Sequence, residues 1–351
     1  MNQRKTILLT GASGVLGSAL LPLLGCHRVI ALIHSSHVPA EQVRGDLAAP
    51  QLGVDDATYQ WLADVVDTVV HCGATTDFGA GAQATAELNT RGTQRVIEFA
   101  SRADARLLYV STAFVARTAL TRQVAGRAQG EATAVPDHYL DSKRAAEELV
   151  RTSGLPYTIA RPSVIIGDRE TGAIPRFQGL HSIVTALLKG SVPLLPLDPS
   201  ARADIIPRDV AAQALAALVD LPFDGAEHWL TSGEAAPTAS EVVAACHARA
   251  ETFGIPMPSP RLVDPDMVDR LVRPVFIDPL PPAARRRFDD MLAMTALFDT
   301  ADPLPCTLSD LAGGPGALTA EQVRLAVDAS IDHLVHVKNL SRSRTPEGAA
   351  A

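Results

Sequence analysis

The sequence predicts an α/β fold, a doubly wound parallel sheet with a smaller, mostly helical C-terminal lobe. Over the first two-thirds of the 351 residues, short apolar runs alternate with amphipathic stretches, which is typical of parallel strands covered by helices. A glycine-rich turn follows the first apolar run directly. From about Gly172 proline becomes frequent and the alternation weakens, which indicates that a second structural region begins there.

The individual elements follow from the spacing of apolar residues and from helix-capping signals. The predicted strands are Thr6–Thr10, Arg28–Ile33, Thr68–Cys72, Arg106–Ser111 and Tyr157–Arg161. The predicted helices are Gly14–Leu24, Gln83–Arg102, His138–Thr152, Asp209–Leu221 and Thr319–Leu334. The last helix is expected to begin with a capping box formed by Thr319 and Gln322.

Composition and charge exclude several classes of protein. Hydrophobic residues make up 47% and charged residues 20%, so the chain is too apolar to be disordered. The formal net charge of −8 gives no positive field to attract nucleic acid or an anionic membrane. No apolar run approaches the ~18 residues of a membrane span, and the N-terminus lacks the pattern of a signal peptide.

The cysteines indicate a reducing compartment and no metal site. There are four, far apart and without metal-ligand spacing: Cys26, Cys72, Cys246 and Cys306. We therefore expect reduced thiols in a cytoplasmic protein that holds no metal.

The glycine-rich turn has the spacing of a dinucleotide-binding loop. Glycines here permit a tight turn and a close approach of the backbone to a pyrophosphate. The N–H groups at the start of the following helix favour the same anion. In this strand–turn–helix context the motif predicts a Rossmann-type sheet that binds a dinucleotide through Gly11, Ser13, Gly14, Val15, Leu16 and Gly17.

The end of the second strand favours NADPH over NADH. A protein specific for NAD usually places Asp or Glu there to hold the ribose 2′-hydroxyl. This chain has no acidic residue between Ile33 and Glu41, and a 2′-phosphate would not be repelled. We expect His34 or Ser35 to contact that phosphate; the alternative is that His34 and His37 are solvated loop residues.

Three side chains form a candidate catalytic set. Thr112 follows the strand Arg106–Ser111, at the sheet edge where open α/β folds bind ligands. Tyr139 and Lys143 are four residues apart on a predicted helix and so share one face. A neighbouring ammonium would stabilise a phenolate, so that Tyr139 exchanges a proton with a substrate oxygen while Lys143 also reaches the nicotinamide ribose. The hydroxyl of Thr112 would hydrogen-bond the reacting carbonyl oxygen.

These residues resemble the extended short-chain dehydrogenase/reductase family over about Thr6 to Leu221. Further motifs similar to that family are Gly45–Leu47, Val70–Ala74, Asn89–Thr93, Arg161–Gly167 and Ala203–Val210. The resemblance implies that the last of these closes the substrate pocket and that Asp46 contacts adenine. It also implies cofactor contacts from Leu47, Cys72, Gly73, Ala74, Asn89, Lys143, Pro162, Ser163 and Val164.

Within that family the sequence motifs are most similar to those of the thioester reductase and fatty acyl reductase branch. The segments concerned are His71–Phe78, Ser111–Phe114 and Arg161–Ser163, with Gly73 in place of one of two paired alanines. The resemblance implies reduction of an acyl thioester on CoA or a carrier protein to an aldehyde, sometimes onward to the alcohol. It also implies an oxyanion held between Thr112 and Tyr139, and a carrier that is supplied in trans.

The division of the chain follows from these motifs. We expect a dinucleotide-binding Rossmann domain over residues 1–171, to which 203–232 return. Residues 172–202 and 233–340 would form a substrate-binding lobe, and 341–351 a flexible tail. In the lobe, Arg285–Arg287 would lie on a solvated helix face or, alternatively, grip a pantetheine phosphate or an acidic carrier.

Other functions stay open at this point. The same machinery serves a reductase or dehydrogenase of a ketone, aldehyde or alcohol. The family also contains NAD-dependent sugar-nucleotide epimerases and dehydratases, and non-catalytic NAD(P)-binding modules. Whether the chain forms a homodimer is equally open.

Overall fold

Apolar strands form a central sheet in the computed structural model, which describes residues 4–77, 81–116, 136–264, 267–298 and 301–341. The strands of this sheet are β1 (Thr6–Thr10), β2 (Arg28–Ile33), β3 (Glu41–Arg44), β4 (Thr68–His71), β5 (Arg106–Val110), β6 (Tyr157–Pro162) and β10 (Glu227–Leu230). Within the described ranges they lie in the order β3-β2-β1-β4-β5-β6-β10, and every pairing is parallel. The chain reverses its direction of travel across the sheet between β1 and β4, which creates a crevice at the carboxyl ends of these strands.

Helices cover both faces of the sheet. They are α1 (Val15–Leu20), α2 (Asp56–Val65), α3 (Gly81–Thr85), α4 (Gly92–Arg102), α5 (Pro136–Arg151) and α7 (Arg208–Asp220), with a π-helical segment at Ala86–Arg91. Successive residues of β1 enter different cores: Ile7 and Leu9 pack with residues of α1 and α7, whereas Leu8 packs with residues of α2 and α4. Both faces are therefore buried, as the doubly wound fold predicts, and the predicted fold class is confirmed.

The C-terminal lobe is mostly helical. Its helices are α6 (Gly179–Leu188), α8 (Ala239–Thr252), α9 (Pro282–Thr295) and α10 (Ala320–Val337), with a π-helical segment at Val268–Ile277. Four short strands form two parallel pairs: β7 (Val164–Ile166) with β9 (Ile205–Pro207), and β8 (Leu194–Leu195) with β11 (Arg261–Leu262). The capping box of α10 is confirmed, since Thr319 and Gln322 each bond the other's backbone N–H.

Lobe and sheet share one apolar cluster. Phe114, which follows β5, contacts Phe298 of the lobe edge to face, with ring centroids 6.2 Å apart. Tyr139 and Leu140 of α5 belong to the same buried cluster as Leu180 of α6. The lobe therefore packs directly against the residues that follow the carboxyl edge of the sheet.

In the described sheet and the helices that cover it, three elements were absent from the sequence prediction. Two are β3 and β10, which lie at the two edges of the sheet and carry polar residues because each has a neighbour on only one side. The third is α2, whose start is capped by the carboxylate of Asp55. The first predicted helix was also too long, since Leu21–Leu24 is a 3-10 turn that contains Pro22.

Some expectations fall outside the described residues. These are the phenylalanine of the segment His71–Phe78, the side chains of Arg286 and Arg287, and residues 342–351 of the expected tail. No helix in the described part of the chain has the length and apolarity needed to cross a membrane.

We predict that Gly17→Ala destabilises the protein. A Cβ at Gly17 would lie 2.2 Å from the carbonyl oxygen of Gly11 and 2.8 Å from Cα of Ala12, and backbone atoms cannot yield as a side chain can. The expected loss in the free energy of unfolding is about 1–3 kcal/mol, measured by urea denaturation. The control is Gly25→Ala, because a Cβ there would lie 3.5 Å from its nearest neighbour, the carbonyl oxygen of Pro22, at ordinary contact distance. Equal unfolding midpoints for the two variants would contradict the close packing of this turn.

Candidate active site

The glycine turn is held tightly against the loop that follows β4. Gly11 has φ +70, and a Cβ there would lie 2.7 Å from the carbonyl carbon of Cys72 and from the nitrogen of Gly73. Gly14 is the N-cap of α1, and its N–H donates to the carbonyl of Gly11 at 2.9 Å. A side chain at Gly11 or Gly17 would clash with neighbouring backbone atoms, so the turn presents backbone rather than side chains to the crevice.

Beside this turn lies a cavity of about 550 Å³. The sequence-predicted cofactor residues that line it are Gly11, Ser13, His34, Asp46, Leu47, Gly73 and Ala74. Residues outside the predicted cofactor contacts complete its wall: Leu32, Ile33, Gly45, Ala48, Ala84, Glu87 and Leu88. Of the two histidines considered for the loop after β2, His34 lines the cavity and His37 instead contacts the side chain of Gln42 at 3.0 Å.

The floor of the cavity explains why Gly73 departs from the alanine pattern. A Cβ at Gly73 would lie 2.6 Å from Cδ1 of Leu47 and 3.0 Å from Oγ1 of Thr10. Leu47 therefore fills the space that an alanine would need. Asp46 is fixed by its own turn, in which Oδ1 accepts from the N–H of Ala48 at 2.8 Å.

A chain of hydrogen bonds runs beneath the turn through His71. The N–H of Gly73 donates to Oγ1 of Thr10 at 3.1 Å, and Oγ1 of Thr10 lies 2.7 Å from Nδ1 of His71. On the other side, Nε2 of His71 lies 3.1 Å from Oγ1 of Thr93, which donates to the carbonyl of Asn89 at 2.6 Å. Each group has a partner only if His71 is neutral with its proton on Nε2. Burial, with a smaller contribution from the charge of Lys143, lowers the pKa of His71 to about 3.

Asn89 joins two parts of the site. Its Oδ1 accepts from the N–H of Thr75 at 2.8 Å, and its Nδ2 donates to the carbonyl of Thr75 and to Oγ of Ser142. Ser142 in turn donates to the carbonyl of Tyr139 at 2.7 Å. The amide of Asn89 thus ties the loop after β4 to α5, and its described contacts go to protein groups; a cofactor contact from Asn89 stays a prediction.

Lys143 is buried at the end of β5. Its side chain donates to the carbonyl of Val110 at 3.0 Å, and Nζ lies 5.1 Å from the centre of the Tyr109 ring. Burial lowers the pKa of Lys143 to about 8, although the thiol of Cys72 and the carboxylate of Glu147 act in the opposite direction. The ammonium is therefore still charged at neutral pH.

Tyr139 and Thr112 lie together, as the sequence predicted. A hydrogen bond joins their hydroxyls, and both residues are buried, with Tyr139 only 9% exposed. We expected Lys143 to stabilise a phenolate, but burial instead raises the pKa of Tyr139 to about 12, and only Thr112 opposes it. The phenol is consequently protonated at neutral pH and able to donate.

Ser163 offers a further polar group near the end of β6. Its N–H donates to the carbonyl of Leu230 at 3.0 Å, whereas its buried hydroxyl has no hydrogen-bond partner among the described residues. A buried hydroxyl without a partner costs free energy that a bound ligand can recover. Its neighbours Pro162 and Val164 border the same strand end.

We predict that acid destabilises the protein partly through His71. The pKa is about 3 in the folded chain and about 6.5 in an unfolded one, so below pH 6.5 the unfolded state binds the extra proton and stability falls towards pH 3. Between pH 7 and 5 this amounts to about 2 kcal/mol, measurable by urea denaturation at each pH. His71→Gln should lose that much less over the same range. The exposed His138→Gln is the control, and parallel losses in all three proteins would contradict the prediction.

The sequence belongs to a recognised family. The family model described as the male sterility protein, an NAD-binding domain, matches residues 36–215, just over half of the chain. A hybrid PKS-NRPS synthetase of Xenoacremonium sinensis is 28% identical over 263 residues, which are 66% of this chain but 6% of that synthetase. The chain therefore spans only a small part of this curated relative.

Solved structures share the fold. The terminal R domain from the myxalamid PKS-NRPS biosynthetic pathway superimposes with a TM-score of 0.69 at 22% identity, covering 96% of this chain and 92% of that one. A thiolation-reductase di-domain from an archaeal non-ribosomal peptide synthetase has a TM-score of 0.67 at 14% identity, covering 97% of this chain and 77% of that one.

The family match and the geometry agree at the crevice. The family is one of NAD-binding domains, and the glycine turn and its cavity occupy the switch point of a Rossmann-type sheet. Because the family model covers just over half of the chain, this chain belongs to the male sterility protein family of NAD-binding domains, and with it to the oxidoreductases of the extended short-chain dehydrogenase/reductase type.

Proposed function

We propose that the enzyme reduces an acyl thioester, carried on CoA or a carrier protein, to an aldehyde or alcohol with NADPH, and that Tyr139 is the proton donor. The observation that carries this proposal is the buried pair of hydroxyls of Thr112 and Tyr139, joined by a hydrogen bond and kept protonated. Two convergent hydroxyl donors in a buried site are suited to a developing oxyanion. The relatives support the choice of substrate, since one is named as a PKS-NRPS synthetase and one structure pairs a thiolation domain with a reductase.

The chemistry follows from these two groups. When bound, NADPH supplies a hydride to the thioester carbonyl carbon. Thr112 and Tyr139 then hydrogen-bond the oxyanion that forms on the substrate oxygen. As the carbonyl re-forms, the carbon–sulfur bond breaks and the thiolate leaves, taking up a proton to give the free thiol. Reduction of the aldehyde to the alcohol would need the hydride of a second NADPH, and Tyr139 would then give its proton to the alkoxide oxygen.

The residues around the crevice fit a nicotinamide dinucleotide. Gly11 and Gly17 admit no side chain, which leaves the turn open to a pyrophosphate. The unpartnered hydroxyl of Ser163 can bond a polar group of the ligand. Lys143, buried and charged beside β5, would hold the nicotinamide ribose.

The preference for NADPH is supported by charge at the end of β2. His34 and Ser35 are exposed there and carry no negative charge. Arg44, which the sequence reasoning did not single out, is exposed at the end of β3, in register with Ile33 of β2. A guanidinium at this edge of the cavity suits a 2′-phosphate.

The first test is product analysis with acyl-CoA and acyl-pantetheine, compared with matching aldehydes and ketones. We expect NADPH oxidation to be accompanied by free thiol and aldehyde or alcohol. Tyr139→Phe should lower turnover by about two to four orders of magnitude, because the donor is lost, with NADPH affinity similar to that of the wild type.

Tyr157→Phe is the matched control and should retain turnover, since Tyr157 starts β6 at the opposite edge of the sheet. Turnover of ketones or aldehydes without thiol release from any thioester would assign the chain to the carbonyl reductases. Near-normal turnover by Tyr139→Phe would refute the role of Tyr139.

The cofactor preference has its own test. Arg44→Ala should raise the dissociation constant for NADPH about tenfold or more and leave that for NADH unchanged, while Ser35→Asp should shift the preference towards NADH by repelling the 2′-phosphate. Fluorescence titration with NADPH and with NADH measures the two dissociation constants of the wild type and of each variant. Arg102→Ala, an exposed arginine at the end of α4, is the control; an unchanged ratio of the two constants in Arg44→Ala and Ser35→Asp would exclude both contacts.

A further inference from the structure

Glu147 lies one helical turn beyond Lys143 on α5 and is buried, with 2% exposure. Its two carboxylate oxygens accept from Nε and Nη2 of Arg161 at 2.9 and 2.7 Å. A second guanidinium, that of Arg151, donates to it at 2.7 Å. Burial alone would raise the pKa of Glu147, but these arginines bring it below its ordinary value, so the carboxylate is charged at neutral pH.

The two arginines also share a second carboxylate. Oε2 of Glu227, on β10, lies 2.6 Å from Nη2 of Arg161, and its Oε1 lies 2.7 Å from Nη2 of Arg151. The guanidinium of Arg161 lies over the ring of Trp229, 4.6 Å from its centre. This four-residue network, Glu147–Arg161–Arg151–Glu227, ties α5 to β6 and β10, and Arg161 is followed directly by Pro162 and Ser163.

The charges around Lys143 are unevenly placed. His71 of β4 faces Lys143 and is neutral. Cys72, in the loop after β4, also faces it, and burial keeps its thiol protonated. The ring of Tyr109 faces Lys143 from β5. The protonated Tyr139 and the charged Glu147 lie on α5 itself. Among the described groups that act on the charge of Lys143, Glu147 is the one that carries a full negative charge.

We propose that Glu147 is a positioning residue for the reaction, which keeps the Lys143 ammonium charged and fixes the helix turn that presents it, while Arg161 and Arg151 hold the carboxylate in place. Without this carboxylate, Glu227 would remain as the described partner of Arg161, and Arg151 would keep Glu227 and the exposed Glu148, whose Oε2 lies 3.8 Å from its Nη1. The two guanidinium charges would then disfavour the charged form of Lys143. The value of this charge for catalysis rests on the proposed function, whereas the electrostatic effect itself does not. Glu147 would act through Lys143 and not on the reacting atoms themselves.

The test reads the titration of Lys143 directly. The chain has four lysines, Lys5, Lys143, Lys189 and Lys338, so labelling lysine with ¹³C at Cε gives few NMR signals, and Lys143→Arg identifies the one that matters. We expect the midpoint of that signal to move down by about one pH unit in Glu147→Gln. No substrate or cofactor is present, so this result stands apart from the outcome of the thioester assay.

Two further variants make the experiment decisive. Glu148→Gln is the matched control: it removes the same charge from the next position of α5, where the side chain is 69% exposed, and should leave the midpoint and the turnover unchanged. Glu227→Gln removes a half-buried carboxylate and should lower the midpoint by less than Glu147→Gln, which provides a measurement if the latter does not fold. In turnover, the alkaline limb of kcat/KM should move down in step with the NMR midpoint, a change that loss of structure alone would not produce. An unchanged midpoint in Glu147→Gln, or an equal change in Glu148→Gln, overturns the proposal.

Discussion

The ammonium of Lys143 lies inside the protein, 4% exposed, at the carboxyl edge of the sheet. Removing such a charge from water costs several kcal/mol unless other groups replace the lost hydration. Here the carbonyl of Val110 accepts one of its hydrogens and the face of Tyr109 lies near it. Both groups belong to β5, whereas Lys143 belongs to α5, so the charge can be kept only when the two elements meet in this arrangement. The candidate site therefore depends on the fold that brings β5 and α5 together.

Much of this arrangement is local and could be predicted from the sequence. The glycine turn, the four-residue spacing of Tyr139 and Lys143, and the hydroxyl at the end of β5 each depend on neighbours a few positions away. The parallel sheet followed from alternating apolar runs, because both faces of its inner strands are buried. Its edge strands β3 and β10 were missed because a strand with one neighbour needs fewer apolar residues.

The rest depends on burial and on partners distant in sequence. The spacing of Tyr139 and Lys143 predicted a lowered pKa for the phenol, but burial decides the direction and cannot be read from that spacing. The contact between Glu147 and Arg161 joins residues 14 positions apart on a helix and a strand. Asn89 was assigned by resemblance to the cofactor, whereas its hydrogen bonds to Thr75 and Ser142 emerge only when the loop after β4 meets α5.

The edge-to-face contact between Phe114 and Phe298 bears on how this enzyme could change during evolution. Phe114 is two residues from Thr112, and Tyr139 is part of the same apolar cluster as the lobe helices. A lobe taken from a relative would have to present an equally shaped aromatic surface, or Thr112 and Tyr139 would shift. The lobe should therefore change during evolution by scattered substitutions more readily than by exchange of the whole lobe.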